Sequence, residues 1–261
     1  MCWARSGLNP DFARTPAAMR YIVQVLLLIV AELAYGADYV REKKWADEII
    51  PGIVVGDPVY LEEKNGHKFL TIYTEAPNAK AGLVIVHGTG VHPDWGLIST
   101  LRSALADHGY TTLSVQMPVL AQEARGEDYR STFGEAGERL KVAAEFLQAK
   151  GYKKIAIVSH SMGSRMTHYH LISSHPDAKV SAWVAIGFGG ADDFRQMKLP
   201  VLDLYGENDH EEVLNNAKKR SASINNRKGS QQIMAPKADH FFNGYQAELV
   251  RYVRDFLDKS L

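Results

Sequence analysis

Along most of the chain, short unbroken apolar runs alternate with longer stretches in which apolar residues recur every three or four positions. Leu83 to Val86, Thr111 to Val115, Ile155 to Val158, Val180 to Ile186 and Val201 to Tyr205 are runs of the first kind. They suit strands buried on both faces rather than strands with one wet side. Between them, Leu97, Leu101 and Leu105 recur at helical spacing before Gly109, and Leu140, Ala143 and Leu147 do so before Gly151. Glycine just past such a stripe is a helix stop. Tyr245, Leu249, Tyr252 and Phe256 form a last apolar stripe. Earlier in the chain, Ile53 to Leu61 and His67 to Thr74 flank Glu63-Lys64-Asn65-Gly66, and Asn-Gly is the strongest short hairpin signal. The alternation predicts an α/β fold: a mainly parallel sheet, entered through an antiparallel hairpin and covered by helices on both faces. No internal repeat, low-complexity tract or linker divides residues 37–261, and one domain is the economical reading.

The first residues follow a different grammar. Tyr21 to Val30 is apolar apart from Gln24, with Arg20 before it and the small residues Ala34 and Gly36 after it. Such a run is too short for the roughly 20 residues that span a bilayer, but it suits the apolar region of a secretory signal. The pattern predicts a signal peptide over residues 19–36, cleaved after Gly36, and export to the periplasm or beyond. Met19 directly precedes Arg20, so residues 1–18 read as an upstream extension or a polar leader. An uncleaved anchor or a buried helix is the alternative.

Composition narrows the chemistry. Thirty basic and thirty acidic side chains give a formal net charge of +0, with no lysine or arginine run. That leaves no electrostatic footprint for nucleic acid or an anionic membrane and points to a small-molecule substrate. The one cysteine, Cys2, lies ahead of the expected cleavage point. Residues 37–261 therefore have no thiolate nucleophile, disulfide or cysteine-ligated metal, and the chemistry falls to Ser, His, Asp, Glu and Lys.

The run Ile155 to Val158 leads into Ser159-His160-Ser161-Met162-Gly163, with a helix expected from Met162 to about Ser173. A serine on a strand-to-helix turn sits in a strained backbone, so the residues two before and two after it must be small. Ser159 and Gly163 are. The turn also leaves the Met162 backbone N–H at a helix N-terminus, suited to a negative charge developing beside Ser161 Oγ. Leu83 to Val86 ends in His87-Gly88-Thr89-Gly90, where the Thr89 N–H offers a second donor. Val201 to Tyr205 ends in Gly206-Glu207-Asn208-Asp209. Ser230 to Ala235 reads as a final strand, followed by Pro236-Lys237-Ala238-Asp239-His240 ahead of the last helix. Each group lies at the carboxyl end of a strand, in the order Ser, Asp, His. Asp203 and Glu207 rival Asp209, but Asp203 lies within its strand, whereas Asp209 has the loop freedom to reach His240.

Other conspicuous residues have blander readings beside functional ones. Of the ten histidines, His160, His168, His170 and His175 cluster around one helix, but positions two apart point to opposite sides and do not chelate, so no metal site is expected. His87 and His92 read as loop-holding. Trp95, Phe188, Phe241 and Phe242 lie beside the site segments and are candidates to line an acyl pocket, although aromatic residues are more often core. The stretch from Pro118 to Glu135 lacks periodicity and is either a loop or small lid bordering the site or a solvated connection.

Together these segments resemble the α/β-hydrolase superfamily over about residues 53 to 258. His-Gly-Thr-Gly-Val-His-Pro-Asp-Trp at 87–95, with the export pattern, is similar to an uncharacterised exported bacterial family of α/β-hydrolase-like proteins. The resemblance departs at Ser159, where the superfamily usually has glycine. It implies a serine hydrolase that cleaves a carboxylic ester or thioester through an acyl-enzyme, without a cofactor. Ser161 would be the nucleophile, His240 the base, Asp209 its orienting acid, and Thr89 and Met162 the oxyanion donors. No long insertion follows Val180 to Ile186, so no large cap domain is expected. An amidase or peptidase shares the constellation, and a noncatalytic binding or envelope-interaction protein could keep the scaffold.

Overall fold

The computed structural model describes residues 36–173, 180–224 and 227–261. The signal-peptide reading over 19–36 and the upstream residues 1–18 fall, up to residue 35, outside the described residues. Among the described residues no helix is long and apolar enough to cross a membrane.

The chain runs through α1 (Tyr39–Ile49), β1 (Asp57–Glu62), β2 (Lys68–Thr74), β3 (Gly82–Val86), α2 (Gly96–Asp107), β4 (Thr111–Val115), α3 (Phe133–Ala149), β5 (Ile155–His160), α4 (Met162–Ser173), β6 (Ala182–Ile186), β7 (Val201–Asn208), α5 (Glu211–Ile224), β8 (Gln231–Asp239) and α6 (Gln246–Ser260). The eight strands form one sheet in the order β1-β2-β4-β3-β5-β6-β7-β8. The β1–β2 and β2–β4 pairs are antiparallel and all others parallel. This is the expected hairpin followed by a parallel sheet.

Alternation along the strands builds two apolar layers. Leu83 and Ile85 of β3 pack with Leu97, Leu101 and Leu105 of α2 and with Leu249, Val253 and Phe256 of α6. Val84 and Val86 face the other way, toward Leu140, Ala143 and Leu147 of α3 and Met162 and Met166 of α4. From β3 the chain moves outward to β4, then returns to the other side of β3 as β5. The crevice between the ends of β3 and β5 is therefore a topological switch point, where open α/β sheets place their sites.

Some elements depart from the sequence pattern. β1 starts at Asp57 rather than Ile53, because Ile50–Gly52 closes a 3-10 turn, Val54 stands exposed and Gly56 has φ 80. Two helices, α1 and α5, escape the periodicity because charged groups share their buried faces: Glu42 with Ala46, and Arg220 with Val213, Ala217 and Ile224. β8 continues to Asp239 through an irregularity: Gly206 pairs with Ala235, whereas Asn208 pairs with Asp239. A bulge of this kind bends its strand and re-aims the residues at the strand end, here His240. The Pro118 to Glu135 stretch holds a 3-10 turn, Asp128–Thr132, before α3 begins. Its buried Tyr129 accepts the Leu120 N–H at 3.2 Å, and a Cβ at Gly126 would lie 3.6 Å from Met162 Cε. The stretch borders the site.

Candidate active site

Ser161 sits on the turn between β5 and α4 with φ 55, a left-handed conformation costly for any residue with a Cβ. Its N–H donates to Ile186 O at 2.8 Å, and its own carbonyl accepts the Ser164 N–H at 2.9 Å. So tight a turn needs glycine two residues on: a Cβ at Gly163 would lie 2.3 Å from His87 O. Ser159 fits on the other side because its hydroxyl is used. It accepts the Trp183 indole N–H at 2.8 Å and lies 3.1 Å from Ser164 Oγ and 3.3 Å from Val184 O. Replacing this serine with glycine is expected to destabilise the protein. Ser159→Gly strands a buried indole donor, a loss of about 1 to 3 kcal/mol, readable as a lower urea midpoint at unchanged slope. An unchanged or raised midpoint would contradict this use of the hydroxyl.

The bulged end of β8 brings His240 to Ser161, with Nε2 3.0 Å from Oγ. His240 Nδ1 lies 2.5 Å from Asp209 Oδ1. Burial pushes the Asp209 carboxyl up, but hydrogen bonds from His240, from the His210 N–H (2.8 Å) and from the Gly206 N–H (3.2 Å) together hold it below the ordinary carboxylate value. An ionised carboxylate only accepts. Nδ1 therefore donates to Asp209, and in the neutral ring this tautomer leaves Nε2 to accept the Ser161 hydroxyl. The ring lies against Gly187, where a Cβ would come within 2.8 Å of His240 Cε1.

Two further imidazoles sandwich His240. His210, exposed, stacks on it at 3.9 Å with 18° between the planes, and His160 lies on the other face at 4.7 Å. His160 donates from Nε2 to His240 O at 2.9 Å and leaves a buried Nδ1 without a partner. Burial, with His240 nearby, pushes its pKa down to about 3, so it packs as a neutral ring. Asp209, His210 and His240 bring donor atoms within 4.8 Å of one another. Both His240 nitrogens, however, are already engaged, on Asp209 and Ser161. His168 is used on Asp193 O (2.9 Å), and His175 lies outside the described residues.

The rival acids are occupied elsewhere. Asp203 is fully buried and paired with Arg220 Nε (2.9 Å) and Gln232 (2.7 Å). Glu207 is exposed and accepts the Lys237 N–H at 2.8 Å. His87 holds the turn after β3, as expected: its Nδ1 lies 2.8 Å from Gly88 O, and its Nε2 accepts the Met117 N–H at 2.9 Å. Burial pushes its pKa down to about 3, which keeps Nε2 an acceptor. The turn passes close over the serine, since a Cβ at Gly88 would lie 3.0 Å from Ser161 Cβ. Thr89 comes directly after it. Met162 is the first residue of α4, where a backbone N–H has no carbonyl one turn back. Met162 thus adjoins Ser161 in the chain, and Thr89 follows the glycine that passes over it.

Trp95 and the 37 % exposed Phe241 meet edge to face at 5.5 Å, and Phe241 meets His240 at 5.0 Å, forming one wall. Phe188 corrects the sequence reading. It is 0 % exposed and packed between Trp183, Phe194 and His168, so it is core and lines nothing; Phe242 is likewise core. Residues the pattern did not single out also stand here, His210 and Gly187, while the Arg41 and Trp45 side chains of α1 lie beside the loop after β3, near Gly90 and His92.

The fold has solved counterparts. The chain is similar to dienelactone hydrolase from Anabaena variabilis, at TM-score 0.62 and 19% identity over 78% of this chain and 99% of that one. The fold is that of the α/β hydrolases. An α/β serine hydrolase without a lid from Xanthomonas campestris aligns at TM-score 0.59 and 14% identity, over 80% of this chain and 96% of that one. A cold-adapted esterase from an Arctic intertidal metagenomic library aligns at TM-score 0.58 and 15% identity, over 74% and 92%. Among curated sequences, mouse (Mus musculus) Protein ABHD14A is 26% identical over 135 residues, 50% of this chain; the chain thus spans about half of that relative's length, 53%. The family described as "Protein of unknown function (DUF3530)" matches residues 57–138, which carry Gly88 and Thr89. The lecithin:cholesterol acyltransferase family matches residues 128–249, which carry Ser161, Asp209 and His240.

Proposed function

We propose that this chain is a serine hydrolase that cleaves a carboxylic ester or thioester through an acyl-enzyme. The observation that carries the reading is the Ser161 hydroxyl on its left-handed turn, 3.0 Å from an imidazole whose other nitrogen meets an ionised carboxylate at 2.5 Å. His240 takes the hydroxyl proton as Ser161 Oγ attacks the carbonyl carbon. The Thr89 and Met162 N–H groups hold the oxyanion, and His240 returns the proton to the leaving alcohol or thiol. Water, activated by the same imidazole, then releases the acid. The esterase and serine-hydrolase neighbours support this chemistry, and no cofactor is required for it. Trp95 and Phe241 would border the bound acyl or leaving group.

The test is pre-steady-state hydrolysis of p-nitrophenyl butyrate. The reading predicts a burst of p-nitrophenol stoichiometric with enzyme, followed by slower turnover, both lost in His240→Ala. Turnover that survives His240→Ala would overturn it. A second acceptor is favoured by the acyltransferase match across all three side chains: an alcohol in place of water. Added butanol would then yield butyl butyrate from the same intermediate. The Tyr21 to Val30 run supports export, and cell fractionation should find a chain beginning at Ala37 outside the cytoplasm.

A further inference from the structure

We propose that Arg41 recognises an anionic group on the substrate, so that this site prefers esters whose acyl chain ends in a carboxylate. The proposal rests on the hydrolase reading and names its substrate class.

The helix α1 packs beside the loop that follows β3. Arg41 lies over the Trp45 ring at 4.6 Å, and Trp45 meets His92, in the loop after β3, at 6.0 Å. Arg41 Nη1 donates to Leu120 O at 2.6 Å, which ties the helix to the stretch that borders Met162. The other end of the guanidinium turns toward the oxyanion turn, with Nη2 3.9 Å from where a Cβ at Gly90 would stand. Two Cα steps of about 3.8 Å each separate Gly90 from Gly88, and Gly88 is the residue against Ser161. A positive charge therefore sits within reach of a medium-length acyl chain attached at Ser161.

Among the described residues that charge has no counter-ion: Arg41 forms no ion pair, whereas Arg102, Arg139, Arg165 and Arg220 each meet a carboxylate. Four of the acids near Arg41 in the chain or on neighbouring elements are engaged elsewhere. Asp38 caps α1 through the Arg41 backbone N–H, Glu42 pairs with Arg139, Asp94 with Arg102, and Glu127 with Arg165 and Arg130. A tether to one carbonyl uses one of the five guanidinium donors and leaves a half-buried, unneutralised cation. A carboxylate entering past Trp45 would supply the missing charge through the fork geometry that guanidinium offers.

The experiment compares mono-p-nitrophenyl adipate and suberate with p-nitrophenyl hexanoate and octanoate. In the wild type, kcat/KM for at least one carboxylate-ended ester should exceed that of its methyl-ended match by about tenfold or more. The ratio should fall when salt is raised from about 0.05 to about 0.5 M. Arg41→Met should bring it to one or below, and Arg41→Lys should retain part of it. Because the readout is a ratio, it does not depend on how much variant protein folds. Turnover with a wild-type ratio near one, or a ratio untouched by Arg41→Met, would overturn the proposal and leave the hydrolase reading standing. Adipate binding to Ser161→Ala by calorimetry, weakened about tenfold when Arg41→Met is added, tests the Arg41 site without turnover. If no ester is cleaved, the hydrolase reading falls, and this binding difference alone upholds or overturns the role of Arg41.

Discussion

Ser161→Ala is expected to lower kcat by about 10⁶-fold, and His240→Ala by as much, with the double variant no worse than either. The effect is that large because the serine hydroxyls on the same turn are used elsewhere. Ser159 Oγ is used on Trp183, and Ser164 Oγ donates within the turn, 2.9 Å from Ser159 O. The two residues act as one unit, so removing either removes the covalent route. Asp209→Asn should cost less, about 10⁴-fold. An amide nitrogen opposite Nδ1 invites the other imidazole tautomer and turns a proton toward Ser161, while the oxyanion donors remain. Steady-state kinetics on a single p-nitrophenyl ester distinguishes these outcomes. Additive losses in the double variant would show that the two side chains act in separate steps.

The largest effect on stability should come from Arg139→Met. Arg139 is 0 % exposed and gathers Glu42 (2.9 Å), Glu63 (2.6 Å), Glu135 (2.5 Å) and Gln116 O (3.0 Å), joining α1, the β1–β2 hairpin, α3 and the end of β4. Removing it leaves Glu42 and Glu63 buried without a cation, a loss of about 3 to 5 kcal/mol near pH 8. The loss should shrink on acidification. Burial already pushes Glu42 up to about 7 and Glu63 upward, both against the pull of Arg139. A carboxyl raised in the folded state contributes stability that is present below its unfolded value, near 4.5, and lost as pH rises through the folded value. Without Arg139 both carboxyls rise further, so the deficit grows with pH. His67, 3.4 Å from Glu42 and held low by burial and by Arg139, changes in the same direction. Urea unfolding of wild type and variant at pH 6 and pH 8 should show a smaller difference at pH 6, by about 1.4 kcal/mol for each unit over which one more group stays protonated. His87 and His160, buried neutral in both proteins, cancel from that difference. A deficit equal at both pH values would contradict the account of the cluster.

How far each element could be read from the sequence depends on the surroundings of its residues. β3 and β5 are apolar at nearly every position because Leu83 and Ile85 meet one helical layer and Val84 and Val86 the other, so an unbroken run is their physical signature. α1 and α5 left no such signature, because Glu42 and Arg220 are buried through ion pairs with Arg139 and Asp203, and a periodicity search counts them as exposed. The meeting of Ser161, Asp209 and His240 was legible because each ends a strand on the same edge of the sheet. The stacking of His210 and His160 on His240 was not, since it depends on the bulge between β7 and β8. Phe188 misled for a related reason: it stands one residue past a glycine with φ 56, and that turn sends its ring back into the core. Arg41 lay upstream of every motif, on a helix whose buried face is charged.

The most direct measurement of the central claim is the site of labelling by a fluorophosphonate, which phosphonylates only a serine activated by a neighbouring base. The account predicts one adduct per folded chain at neutral pH, mapped by peptide mass spectrometry to Ser161 and absent from both Ser161→Ala and His240→Ala. A folded protein that takes up no label, or carries it on any other residue, would contradict it.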